Sequence, residues 1–148
     1  MDFEYSLKTR EMITRLKAFM ERHVLPANQE FHETASRGEY PLALLDRLKA
    51  RAFEEGLWNL FLPDLEAHEP GTRLTNLEYA PLAEIMGRVY WSSEVFNCSA
   101  PDTGNMEILK KFGTPQQKKR WLEPLMMGEI RSIVGLTEPD VSSSDLTN

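Results

Sequence analysis

Arg131-Ser132-Ile133-Val134-Gly135-Leu136-Thr137 constrains this chain more than any other stretch, because it reads as a short apolar strand entering a polar turn at Glu138-Pro139-Asp140. A single strand cannot satisfy its own backbone donors and acceptors, and even an isolated pair of strands is marginal in water. The preceding residues offer no convincing second strand; helical periodicity fills them instead. The expected fold class is therefore all-α, with a helical bundle over residues 1–130 and one short β segment near the C-terminus, in 131–148. The strand's partners are expected either in another molecule or in sequence outside this chain; the second reading is favoured, so the chain reads as the front part of a larger enzyme.

The helices can be placed by stripe and by cap. Met12, Ile13, Leu16, Phe19, Met20 and His23 or Val24 recur at three- and four-residue steps, predicting a helix capped by Ser6 and ending near Pro26. Pro41 suits the first position of a second helix, with Leu42, Leu45, Leu48, Ala52 and Phe53 inward and Gly56 as terminator. Leu57-Trp58-Asn59-Leu60-Phe61-Leu62-Pro63 is too short for another amphipathic helix and reads as a buried connection, and Pro70-Gly71 marks a turn. Thr75-Asn76-Leu77-Glu78 has capping-box spacing and opens a third helix to about Val89. Pro81 conflicts with that start, which implies a start nearer Ala80-Pro81 or an irregular first turn. Ser92 or Ser93 caps a fourth helix, broken near Pro101. Asp102 or Thr103 opens a fifth, with Met106, Ile108, Leu109 and Phe112 apolar and Gly113 at its end. Thr114-Pro115-Gln116-Gln117 is a second capping box, opening a helix that reaches Pro124 and carries Trp121, Leu122 and Leu125.

Composition excludes several classes of function. With 41% hydrophobic and 27% charged residues the chain is ordinary globular protein. Its 17 basic and 23 acidic side chains leave a net charge of −6, which argues against nucleic acid, where affinity rests on neutralising phosphates. No apolar run is long enough to span a membrane. The first residues lack a basic region followed by an apolar stretch, so no secretory signal is expected. The single cysteine, Cys98, fits a reducing compartment such as the cytoplasm and reads as a small buried hydrophobe. His23, His32 and His68 lie too far apart for a helical metal pair, so no metal site is expected. Lys110-Lys111 and Lys118-Lys119-Arg120 read as solvated charge, and Trp58 and Trp121 as core.

Phe112-Gly113-Thr114-Pro115-Gln116-Gln117-Lys118-Lys119, then Trp121-Leu122-Glu123-Pro124-Leu125 and Gly128-Glu129-Ile130-Arg131, resembles the segment of acyl-CoA dehydrogenases that joins the helical N-terminal domain to the β-domain. Leu136-Thr137-Glu138-Pro139 with Ser143-Ser144-Asp145 looks like that family's flavin-binding signature. The resemblance covers essentially the whole chain in order and spacing.

It implies a helical bundle of acyl-CoA dehydrogenase type and an FAD-dependent oxidation of an acyl-CoA thioester to its 2-enoyl form. Electrons would pass to an electron-transfer flavoprotein, and the full-length protein would be a homodimer or homotetramer. Leu136 and Thr137 match positions whose backbone and hydroxyl bond the flavin ring, while Ser143 and Ser144 match those near the cofactor pyrophosphate and the thioester end of the substrate. Gly104, Asn105 and Ile108 match a helix lining the acyl pocket. Two departures stand out. Asp140-Val141-Ser142 insert one extra residue before Ser143, which is serine where the signature has glycine, and Val134 stands where many members carry an aromatic residue. The family's catalytic base, a glutamate, is expected beyond residue 148, so the isolated chain should be inactive. The alternative reading is a non-catalytic truncated relative acting as a helical partner module.

Overall fold

The computed structural model describes residues 4–142. Helix α1 (Leu7–Phe19) begins where the Ser6 hydroxyl accepts the Thr9 amide at 3.1 Å, satisfying one of the donors a helix start leaves open. It does not end near Pro26. A π-helical turn, Met20–Val24, carries it directly into α2 (Leu25–Ser36). The Leu25 amide bonds back five residues to the Met20 carbonyl. That wider turn accommodates a proline that cannot donate and would clash with a carbonyl one α-turn back.

Helix α3 (Leu42–Glu54) follows, with Pro41 just outside its first turn. Helix α4 (Asn76–Met86) starts at the Thr75–Glu78 capping box, both halves of which form, and keeps Pro81 inside it. The carbonyl that Pro81 leaves without a helical donor is that of Leu77, on an exposed residue where water can serve it. The expected fourth helix is a single 3₁₀ turn, Ser92–Phe96, which has no side-chain cap. Helix α5 (Asp102–Phe112) ends at Gly113. Helix α6 (Pro115–Gln117), opened by the Thr114–Gln117 capping box, passes through a second π-helical turn, Lys118–Leu122, into α7 (Glu123–Met127). Pro124 is thus absorbed as Pro26 is, and the helical run outlasts it.

α1 packs on α4, α3 on the 3₁₀ turn, and α5 against the second π turn and α7. Phe19 meets Phe96 edge to face at 5.3 Å in the middle of the core, and Phe31 stacks on Trp91 at 4.5 Å. Leu57 to Leu62 are all buried, as a connecting segment through the core requires. The apolar stripes overreach at their edges. Leu42 (60% exposed), Phe53 (42%), Ile108, Phe112 and Trp121 (40%) are not inward. Among the described residues there is no strand: the short β segment expected after residue 130 is not formed, and 131–138 carry no regular element and no ladder partner. Among them, too, no helix is long and apolar enough to cross a membrane.

Candidate functional site

The last turn of α7 is fixed by buried amide side chains. Asn59 and Asn97 both adopt left-handed backbone, at φ 48° and 53°. The Asn97 Nδ2 donates to Asn59 Oδ1 at 2.7 Å and to the Leu125 carbonyl at 3.0 Å. The Met126 carbonyl accepts from Asn59 Nδ2 at 2.9 Å and from Trp58 Nε1 at 2.8 Å. These side chains cap carbonyls that a helix end leaves open. Gly128, at φ +73°, then turns the chain out of the bundle.

The outgoing segment is tied down at once. Asp102, 2% exposed in the first turn of α5, accepts from the Ser132 amide at 2.7 Å, the Ser132 hydroxyl at 2.6 Å and Arg131 Nε at 2.5 Å. Arg131 Nη1 reaches Glu94 Oε1 at 2.5 Å, and Lys49 Nζ meets the same oxygen at 2.9 Å. The Tyr40 hydroxyl donates to Glu94 Oε2. From α5, Asn105 Nδ2 donates to Ser132 Oγ at 2.8 Å and lies 3.5 Å from the Ile133 carbonyl.

Burial pushes the Glu94 carboxyl up, but the Tyr40 hydrogen bond and the Lys49 and Arg131 cations outweigh it and hold it below its ordinary 4.5. Glu69 behaves alike: burial raises it, while the Glu66 amide and Lys110 bring it below 4.5. Lys110 is therefore not solvated charge but the partner of Glu69 at 2.6 Å, with both side chains largely covered. Below pH 4.5 the unfolded chain takes up protons that these folded carboxylates refuse, so acid must favour unfolding. The expected result is a melting midpoint that falls progressively as pH drops below about 4.5, measured by circular dichroism at constant ionic strength. A midpoint that rose in that range would contradict it. Burial pushes the Cys98 thiol up to about 12, which leaves it a buried hydrophobe and no nucleophile. Among the described residues no group of three His, Cys, Asp or Glu could hold a metal.

Beside the tied segment lies a groove of about 330 Å³, walled by Asn105, Ile108 and Leu109 of α5, by Trp121 and Leu125, and by residues 130–133. Two of the residues read as pocket-lining, Asn105 and Ile108, thus face the outgoing segment across one groove. Gly104 is not in the wall; a Cβ added there would meet nothing within 4 Å. Leu136 and Thr137 are exposed, outside the groove, and make no hydrogen bond among the described residues. Ser143 and Ser144 lie outside the described residues. The Asp102–Arg131–Glu94 cluster escaped the sequence reading. Its one signal was Glu94 directly before Val95-Phe96, a carboxylate in an apolar run that needs a cation.

The profile of the acyl-CoA dehydrogenase N-terminal domain matches residues 7–129. The chain belongs to the acyl-CoA dehydrogenase family. It is 46% identical over 153 residues to acyl-CoA dehydrogenase family member 11 of Rattus norvegicus, a match covering 99% of this chain and 19% of the relative. Family member 10 of Mus musculus is 50% identical over 144 residues, covering 94% of this chain and 13% of that protein. A solved Mycobacterium abscessus structure carrying the acyl-CoA dehydrogenase name superposes with a TM-score of 0.80 at 45% identity, over 96% of this chain and 37% of that one. The chain thus spans about a fifth of the length of the first of these dehydrogenase relatives and just over a third of the solved one.

Proposed function

We propose that this chain is the helical front of an FAD-dependent acyl-CoA dehydrogenase that oxidises an acyl-CoA thioester to its 2-enoyl form. The observation that carries this reading is the double role of α5. Ile108 and Leu109 wall the groove, while Asn105 on the same helix bonds the segment leading to Leu136 and Thr137. One face of this helix thereby borders both the proposed acyl groove and the segment that leads to the flavin-contacting residues. In this reading residues 1–130 form the helical domain and 131–148 begin a β-domain.

The residues suit the cofactor. The Leu136 and Thr137 backbone and the Thr137 hydroxyl are uncommitted among the described residues and exposed, so they are open to bond a ring system. Donors fixed against that ring stabilise the negative charge it gains on reduction. Ser143 and Ser144 would serve the pyrophosphate and the thioester end of the substrate. FAD, when bound, supplies the acceptor for the hydride leaving the β-carbon. Ile108 and Leu109 keep water from the acyl chain, and Asn105 holds the wall opposite them. Removal of the α-proton needs a carboxylate within hydrogen-bond reach, which we place beyond residue 148. The electrons then go to an electron-transfer flavoprotein, and the whole protein works in the cytoplasm as a homodimer or homotetramer.

Thr137→Val tests the assignment in the flavin-loaded protein. Loss of one charge-directed hydrogen bond predicts flavin reduction slowed about tenfold, followed in a stopped-flow spectrometer. Unchanged reduction and unchanged FAD retention would remove Thr137 from the site.

A further inference from the structure

We propose that Asp102 and Arg131 are positioning residues that set the register of the flavin-contacting segment, a role that rests on the dehydrogenase reading above. A buried carboxylate is costly unless every lone pair finds a donor. All of Asp102's side-chain partners come from the outgoing segment, namely the Ser132 amide, the Ser132 hydroxyl and Arg131 Nε. A carboxylate meant only to steady the bundle would be paired within it. One of these donors is backbone, so the contact specifies where the main chain lies as well as which side chain is near.

Arg131 completes the fixation from the other side. Its planar fork is rigid, and its two ends are claimed separately by Asp102 on α5 and by Glu94 on the 3₁₀ turn. Glu94 is itself held by Lys49 of α3 and by Tyr40, so the guanidinium cannot turn without disturbing three parts of the bundle. Asn105 adds a lateral bond to Ser132. Among the described residues no hydrogen bond holds residues 134–137 after these contacts. The clamp at 131–133 is therefore the last anchor before Leu136 and Thr137. In extended chain the step from Ser132 to Leu136 is roughly 13 Å. Where that segment runs as a strand in the whole protein, successive side chains point to opposite faces, so a slip of one residue at the clamp would exchange the faces that Leu136 and Thr137 present.

The test uses the full-length flavin-loaded protein, three variants of the clamp and one control variant. Arg131→Gln removes the cation but keeps an amide donor, Ser132→Ala removes one hydroxyl donor and leaves the Asp102–Arg131 pair in place, and Arg131→Lys keeps the charge but not the fork. Visible absorption and circular dichroism of the bound flavin report its surroundings, and steady-state assay with a saturated acyl-CoA separates kcat from KM. Arg131→Gln is expected to shift the flavin spectrum and lower kcat at least tenfold with KM within about twofold. Arg131→Lys should restore only part of that loss, and Ser132→Ala should shift the spectrum in the same direction. Glu69→Gln, which breaks the covered Glu69–Lys110 ion pair and touches no residue of this segment, is the control for stability alone. It should lower the melting midpoint with an unaltered flavin spectrum. The proposal is overturned if Arg131→Gln and Ser132→Ala leave spectrum and kcat unchanged, or if Glu69→Gln reproduces their effects. Failure of the wild-type protein to bind flavin at all would instead overturn the dehydrogenase reading beneath it.

Discussion

Asn97→Ala is expected to destabilise the protein by about 3–4 kcal/mol, one of the two largest effects of any single substitution considered. Asn97 is buried, and its amide joins Asn59 Oδ1 to the Leu125 and Met126 carbonyls at the end of α7. Truncation strands the Asn59 oxygen in the core, which costs about 1–3 kcal/mol for a buried acceptor. The backbone there is left-handed at φ 53°, which alanine adopts at a further cost of about 1–2 kcal/mol. Asn97→Gly separates the contributions, because glycine relieves the backbone strain and still lacks the amide. Urea unfolding should rank wild type above Asn97→Gly and Asn97→Gly above Asn97→Ala. Equal midpoints for the three proteins would show that the cluster holds nothing in place.

Gly128→Val should cost a similar amount, about 3–5 kcal/mol, through strain and overlap together. At φ +73° a β-branched residue is a true outlier. A Cβ there would also lie 2.9 Å from the Trp58 ring, whose Nε1 is bonded to the Met126 carbonyl and cannot simply swing aside. Gly128→Ala carries the same contact with a less demanding backbone and should fall between wild type and valine. Because Gly128 begins the outgoing segment, the damage should reach the groove. Quenching of Trp121, which lines the groove, measures this, since its accessibility to iodide should change in Gly128→Val. A variant within about 0.5 kcal/mol of wild type, with unaltered quenching, would mean that the turn at Gly128 is not constrained as described.

Local chemistry was the most legible part of the sequence. Thr75 and Thr114 start helices where their capping boxes placed them, because a cap is decided by three or four consecutive residues. Prolines misled where a compensating turn lay upstream. Pro26 and Pro124 do not end their helices, since π-helical turns at Met20–Val24 and Lys118–Leu122 supply the room. Helical period identified the inward stripe, but not its width, so Leu42 and Phe53 were read as core and are exposed. Within the candidate site, the placement of Asn105 and Ile108 on a helix was readable, and their meeting with residues 130–133 was not. That meeting depends on a salt-bridge cluster joining positions 40, 49, 94, 102 and 131, a separation no local pattern encodes.

Anaerobic mixing of the purified, flavin-loaded full-length protein with a saturated acyl-CoA tests the central claim most directly. The account predicts that the visible flavin absorption bleaches as one 2-enoyl-CoA forms per flavin reduced. A protein that carries no flavin, or whose flavin stays oxidised across acyl-CoA chain lengths, would contradict it and leave this chain a helical module without the reaction.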